Sequence, residues 1–562
     1  MNLVRMSCVL GLPALLASCT MAAPDADPTP TAVARHASGI GLTDVPSAAT
    51  KAAGVTSPNV LSPELLAVVA AQGSNPVENP QVLPIGSPAV SVTHYGYDSD
   101  GPLVPAPGDV QSATHQIEAS KTEPDKNTYL VLRDQVGADP GYDYGTHFVF
   151  QGHESGARHA GTITRINLDA DAAHRVTVMA VADVHGAALP PIDGSTWDPW
   201  AERLLVTSEA GPAGGVWQAT LDVPSAVEDI SGALGRAGYE LVTNDDRGNV
   251  WLIDDVGGAR GVVNRNAKQP NSFVYRFVPV RPDDLHHGRL EALQVISLRT
   301  HQPIVFHAGQ ADADITSDDV RDLHTYGKVL PTRWVTLHDT ELDGTAPFDA
   351  NALAKARLAT PFKRPENGAF RPGSRFRELV FDETGDTDLR TEAGSELGGF
   401  GAVLKLTQRT PSADHGTLSL VYRGDAAHGS FDNVTFWDAD HVVFVEDAGD
   451  ALHTQRNALD SAFLFDVNVH YDDPANQPLR IIAEGRDPSA TLDAAVLGAA
   501  PGFQNDGDNE LTGIHVSNGD PTRHGVLGAQ VPQPFHHGYR VFFTQQHGDN
   551  ATWEILPRRA GD

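Results

Sequence analysis

Acidic residues recur in one kind of place in this sequence, at the ends of short apolar runs. Glu154 follows VFQGH, Glu209 follows LLVTS, Asp245 and Asp246 follow LVTN, Glu446 and Asp447 follow VVFV, Glu510 precedes LTG, and Glu366 sits within FKRPENG. Taken singly, each reads as a turn residue or a solvated strand end. Brought together, they would repel one another unless a cation bound among them. Calcium and similar hard cations take about six to eight oxygen ligands and suit such a set. Arg364, two residues before Glu366, adds a guanidinium that can clamp a phosphate in a bidentate contact or close an ion pair.

Other chemistry is poorly supplied. No HExxH, GxSxG, Walker loop or GxGxxG at a strand-helix junction occurs. Ser208 has no local His/Asp partner pattern, the pairs His286-His287 and His536-His537 read as solvated, and His324 and His338 read as structural. The run Asp506 to Glu510 is acidic but lacks the ligand spacing of an EF-hand. The two cysteines, Cys8 and Cys19, both lie near the N-terminus, so the body has no thiol for a disulfide or a soft-metal ligand. A net charge of -32 with no Lys/Arg cluster excludes nucleic acid and anionic lipid surfaces as partners.

The elements that must position these acids are strands. THFVFQG at 146–152, RVTVMAV at 175–181, RLLVTSEAG at 203–211, DHVVFVEDAG at 440–449 and YRVFFTQQH at 539–547 alternate apolar and polar residues between turn signals. Units such as LLVTSEAGPAGGVWQATLD and ELVTNDDRGNVWLIDD repeat a strand, a Gly-containing turn and a second strand, the way a β-propeller blade is built. The expected fold is therefore all-β, a propeller whose strand ends converge on a central axis. Residues 312–357 show helical spacing and are expected to form a helical insertion at one end of it, and a short helix is expected over Glu64–Ala71.

Residues 1–18 read as a secretory signal, and Leu16-Ala17-Ser18-Cys19 resembles a lipobox whose Cys19 is acylated. Residues 19–63, rich in Ala, Pro, Thr and Ser, read as a flexible, disordered tether, leaving 64–562 as the propeller body. The expected location is the cell envelope, with the lipid anchor as the one membrane contact.

Taken in order, GHE at 152–154, DGSTWDPWAERLLVTSEAG at 193–211, FKRPENGAF at 362–370, VFVEDAGD at 443–450, NELTG at 509–513 and FTQQHG at 543–548 resemble the PhoX family of exported bacterial alkaline phosphatases. The resemblance runs from about residue 90 to 557. It implies six blades, axial carboxylates holding calcium and iron, and hydrolysis of phosphate monoesters at the metal cluster. On this resemblance Glu209, Glu366 and Glu446 are metal ligands and Glu154 and Glu510 are further members of the ring; for catalysis the expected residues are Glu366 and, from its place beside it, Arg364 as the group that orients the phosphate. Two positions depart from the family pattern. Ser208-Glu209-Ala210 stands in place of a Cys-Glu-Glu run, and QHG at 546–548 in place of QHPG. A serine lacks the softness and charge of a thiolate, so calcium is the expected ion and iron would lack its sulfur ligand.

The resulting expectation is a metal-dependent phosphoric monoester hydrolase acting on a small phosphate ester or other anionic small molecule. Its rivals are a calcium-stabilised propeller that binds without catalysis, and a propeller hydrolase of lactones or phytate.

Overall fold

The computed structural model describes residues 41–46, 59–103, 119–456, 458–484, 510–546 and 550–559. The signal segment, the lipobox and Cys19 lie outside the described residues.

Among the described residues, most strands fall into antiparallel runs of four, with Asn59–Leu61 added to the edge of one and Pro76–Val82 paired with Ser91–His94 as a separate ribbon. The first is Pro124–Val131, His147–His153, Thr162–Asn167 and Val176–Ala180; the second is Ser195–Asp198, Arg203–Ser208, Gly215–Ala219 and Val227–Asp229. The third is Tyr239–Asn244, Val250–Asp254, Val274–Arg281 and Asp284–Val295; the fourth is Gly368–Phe370, Glu378–Glu383, Ala402–Gln408 and His415–Arg423. The fifth is Phe431–Phe436, His441–Glu446, Asp460–Asp466 and Leu479–Glu484. The sixth joins Glu510–Ser517, Arg540–Gln546 and Ala551–Pro557 to the N-terminal strand Leu65–Ala71.

The apolar cores lie between these blades, one at each junction. Phe148, Phe150 and Ile163 of the first blade pack with Leu204, Val206 and Trp217 of the second. Val380 and Val403 of the fourth pack with Phe431, Phe444 and Phe465 of the fifth. The last junction closes the ring, since Ala71 and Phe542 of the sixth blade pack with Tyr129, Val149 and Ile166 of the first. Successive side chains point to opposite faces, so strands buried throughout, such as Val176–Ala180 and Val250–Asp254, pack on both sides of a sheet sandwiched between two others.

Three expectations are corrected by this architecture. Glu64–Ala71 holds no helix: Leu65–Ala71 is a strand that pairs with Ala551–Pro557, Val69 opposite Trp553. The Leu and Ala content favours a helix locally, but the open edge of the C-terminal blade offers a full ladder of hydrogen bonds, and tertiary pairing wins. Within the stretch read as tether, Asn59–Leu61 is a strand that pairs with Leu479–Glu484, and Val45 is buried. The 312–357 segment is only partly helical. Ala311–Ile315, Asp318–Leu323, Thr340–Asp343 and Ala350–Ala356 are short helices, but Val329–Asp339 is a strand. That strand pairs with Asp284–Val295 and His415–Arg423, fusing the third and fourth blades into one nine-stranded sheet.

No helix among the described residues is long and apolar enough to cross a membrane.

Candidate metal centre

In each blade the innermost strand runs antiparallel to the second, so the start of one lies beside the end of the other at the same mouth of the axis. Acids occupy both places. Asp125, Asp193, Glu240, Glu366, Asp432 and Glu510 sit within or just before the starts of the six inner strands. Glu154, Glu209, Asp255 and Asp447 each follow the end of a second strand.

Irregular pairing aims several of these side chains inward. The register shifts between Pro124 and Asn127, between Tyr239 and Leu241, and between Phe431 and Val434. Asp125, Glu240 and Asp432 fall inside those three shifts. A bulge inserts an unpaired residue and re-aims it, here toward the axis. Close approach of the blades is needed as well: a Cβ at Gly194, next to Asp193, would lie 1.9 Å from the carbonyl oxygen of Glu240.

The outcome is a continuous chain of carboxylates. Ligand-capable oxygens lie within 4.8 Å of one another in three groups, Asp125–Glu154–Asp193, Asp193–Glu209–Glu240 and Glu240–Glu366–Asp432. The groups share Asp193 and Glu240, which makes them segments of one arc around the axis. Burial pushes the carboxyls of Asp125, Asp193, Glu209, Glu240, Glu366 and Glu510 well above the usual carboxylate range; neighbouring acids push them further, while Arg364 pulls against the rise at Glu366 and Glu209. Asp382, behind the arc, is raised chiefly by burial and holds the backbone N–H of Glu366 (3.2 Å) and Asn367 (2.8 Å).

Two cations stand among the acids. Arg364 donates from Nε to Asp255 Oδ2 (2.8 Å), while its Nη2 lies 2.7 Å from Asp255 Oδ2, 2.9 Å from Glu366 Oε1 and 3.9 Å from Asp447 Oδ2. Its backbone has φ 53°, a left-handed conformation that costs a non-glycine residue about 1 kcal/mol or more. Lys126 lies deeper, its Nζ donating to Asn367 Oδ1. Burial pulls its ammonium below the usual lysine range, against the opposing pull of Glu240, Asp432, Asp125 and Asp193.

The donor set fits a hard cation. It is all oxygen, and Asp193 Oδ1, Asp432 Oδ2 and Asp382 Oδ2 are buried without a hydrogen-bond partner. Unpaired buried carboxylate oxygens are costly and call for a counter-charge. Ser208, where the resemblance expects a thiolate, is fully buried and presents only a hydroxyl, so a sulfur-ligated iron has no ligand of the needed kind.

Of the residues singled out in the sequence, Glu154, Glu209 and Glu366 lie in the arc. Glu510 opens the inner strand of the sixth blade and feels Asp447, Asp432, Glu154 and Asp125. Glu446 is outside the arc. Its carboxylate makes a bidentate pair with Arg456, at 2.9 and 3.0 Å, and the next residue, Asp447, faces Arg364 instead. Asp245 is a turn residue, accepting from Asn249 Nδ2 (2.7 Å) and Trp251 Nε1 (2.9 Å) at the far end of its strand. Asp125, Asp193, Glu240, Asp255 and Asp432 were not among the expected ligands. The usable signal was an acid at the start of an inner strand, as in PDKNTY, IDGST, YELV and FDNV.

Fold and site together define a propeller with a carboxylate-lined axial mouth. A scan against protein-family models and a search of the curated proteins both find no match. Solved structures do match. PhoX of Pseudomonas fluorescens, determined in complex with vanadate as a transition state analogue, is similar at 12% identity and a TM-score of 0.52, over 92% of this chain and 98% of that one. The likeness is one of fold: this chain has the PhoX-type β-propeller. A Bacteroides thetaiotaomicron protein, described provisionally as a phosphatase, aligns over 88% of this chain and 80% of its own at 10% identity and a TM-score of 0.35.

Proposed function

We propose that the axial carboxylate arc is the metal centre of a PhoX-like phosphoric monoester hydrolase, and that the protein works on the cell envelope as a lipid-anchored enzyme. The observation that carries this reading is the three overlapping carboxylate groups beside Arg364. An all-oxygen arc supplies what calcium requires.

Asp125, Glu154, Asp193, Glu209, Glu240, Glu366 and Asp432 would hold the metal. When bound, such ions polarise a phosphoryl oxygen and lower the pKa of water. The protein's own part is orientation and charge. Asp255 and Glu366 fix the guanidinium of Arg364, which would hold it ready to bind a phosphate oxygen with little further ordering cost. Arg364 also offsets the negative charge of the arc, which would otherwise repel a phosphate ester. The vanadate complex of the Pseudomonas protein agrees in chemical class with a phosphate-like substrate.

The test is hydrolysis of p-nitrophenyl phosphate with added calcium, with EDTA, and by the Glu366→Gln variant. Calcium-dependent turnover abolished by EDTA and by the substitution is expected. Turnover indifferent to all three changes overturns the reading.

One observation favours a second reading, a calcium-stabilised propeller that binds an anionic ligand without catalysis: Ser208-Glu209-Ala210 keeps only one of the three side chains of the corresponding family run. Stoichiometric calcium with no turnover on any phosphate monoester supports that alternative.

A further inference from the structure

The segment that carries Arg364 and Glu366 is gripped by the end of the neighbouring strand Glu378–Glu383 and the turn after it. Lys363 donates its backbone N–H to Glu383 Oε1 (2.8 Å), and its ammonium pairs with Asp386 Oδ2 (2.6 Å), Lys363 and Asp386 both being buried. Between these two grips, the N–H of Thr384 donates to the Arg364 carbonyl (2.7 Å) and that of Gly385 to the Lys363 carbonyl (3.2 Å). The other oxygen of Glu383, Oε2, meets His324 Nε2 at 2.6 Å, and both side chains are 1% exposed. His324 follows the short helix Asp318–Leu323 and donates from Nδ1 to the Val320 carbonyl (2.7 Å). A helix of the inserted segment is thus tied, through one buried carboxylate, to the residue before Arg364.

That grip falls where the backbone is strained. Arg364 holds φ 53° immediately before Pro365, although a residue preceding proline favours extended backbone. Such a conformation persists only where the surroundings over-determine it. Resting on the reading of Arg364 as the group that binds the phosphate, we infer that Glu383 is a positioning residue: braced by His324, it fixes the backbone at Lys363–Arg364 and so places the guanidinium between Asp255 and Glu366. Glu366 has its own anchor, because Asp382 Oδ1 accepts from the N–H groups of Glu366 and Asn367. Glu383 therefore serves the guanidinium rather than the metal-binding carboxylate. The inserted helix contributes order to the site through His324, without a group that touches the substrate.

The experiment measures p-nitrophenyl phosphate kinetics, and inorganic phosphate binding by calorimetry, on the calcium-loaded full-length protein. It compares wild type with Glu383→Ala, Glu383→Asp, Glu383→Gln, Arg364→Ala and the Glu383→Ala/Arg364→Ala double variant. Glu383→Ala and Glu383→Asp are expected to lose about a hundredfold in kcat/KM, the scale of a misplaced reacting group, with calcium stoichiometry unchanged. Phosphate should bind them about tenfold more weakly, the worth of one hydrogen bond to a charged group. Glu383→Gln is expected to recover most of both, because its amide oxygen still accepts from Lys363 and its amide nitrogen can donate to His324 Nε2. In the Arg364→Ala background the loss from Glu383→Ala should vanish, since a residue acting through Arg364 has nothing left to position. Additive losses in the double variant, or wild-type kinetics and phosphate affinity in Glu383→Ala, overturn the inference and leave the hydrolase reading standing. A wild type that binds phosphate without turnover overturns the hydrolase reading, and the same comparison in phosphate affinity then decides the inference. A wild type that neither binds nor hydrolyses overturns both. If neither Glu383→Ala nor Glu383→Asp folds, Glu383 is structural alone and the inference falls.

Discussion

Arg364 and Glu366 are two residues apart in the chain and face one another across 2.9 Å, with Arg364 held at φ 53°. The pair turns one short segment before the inner strand of the fourth blade into both a negative and a positive element of the same site. Arg364→Ala is therefore expected to retain metal and fold while losing about a hundredfold or more in kcat/KM on a phosphate monoester, the scale of removing a preorganised donor to developing charge. Glu366→Gln is expected to lose turnover together with bound metal. Steady-state kinetics beside metal analysis separate the two. Equal metal loss in both variants would contradict the division of roles.

Glu446 and Asp447 are neighbours with different duties. Glu446 is buried against Arg456 in a bidentate pair, and breaking a buried pair from one side costs about 3–5 kcal/mol. Glu446→Gln is expected to lower unfolding stability by that order with calcium affinity little changed in the folded fraction. Asp447→Asn is expected to leave stability within about 1 kcal/mol and to change KM, since it removes one of the carboxylates near Arg364. Denaturant unfolding and kinetics on the two variants check the assignment.

This one-residue difference shows why the sequence locates the site only in part. Period-2 alternation marks the strands well, and 203–211 and 539–547 contain the observed strands Arg203–Ser208 and Arg540–Gln546. It says which end of a strand an acid occupies, and so finds Glu154 and Glu209. It cannot say which of two consecutive acids faces the axis when the strand ends between them. It fails altogether at Asp125, Glu240 and Asp432, because those residues sit in register shifts where the alternation is broken. Leu65–Ala71 is misread for a related reason, as its partner lies almost five hundred residues away at Ala551–Pro557.

Acid sensitivity should come partly from buried imidazoles. Burial pushes His153 and His515 down to about 3, whereas an unfolded histidine titrates near ~6.5. Between those values the unfolded state binds more protons, so the contribution to stability is fully present above pH ~6.5 and is lost as pH falls toward about 3. Each neutral imidazole is then expected to cost about 2 kcal/mol of stability between pH ~6.5 and ~5. His515→Asn should lose correspondingly less than wild type over that interval in denaturant titrations at the two pH values. Identical losses in both proteins would remove this histidine from the account.

Calcium binding to the native state alone raises stability by about 2.7 kcal/mol when the free ion stands at ~100 times its Kd. Melting of the full chain should rise accordingly with calcium, fall with EDTA, and respond less to magnesium, which favours tighter octahedral sites than this broad arc of carboxylates offers. A Tm unchanged across all three conditions would remove the stabilising role of the ion.

The central claim, that the arc from Asp125 to Asp432 binds metal, is tested most directly by elemental analysis of the full-length protein after purification without chelator. The expected result is calcium retained in stoichiometric amount by wild type, and reduced in Glu366→Gln and Asp193→Asn. A folded wild-type protein that retains no divalent cation and binds none on calcium titration would contradict it.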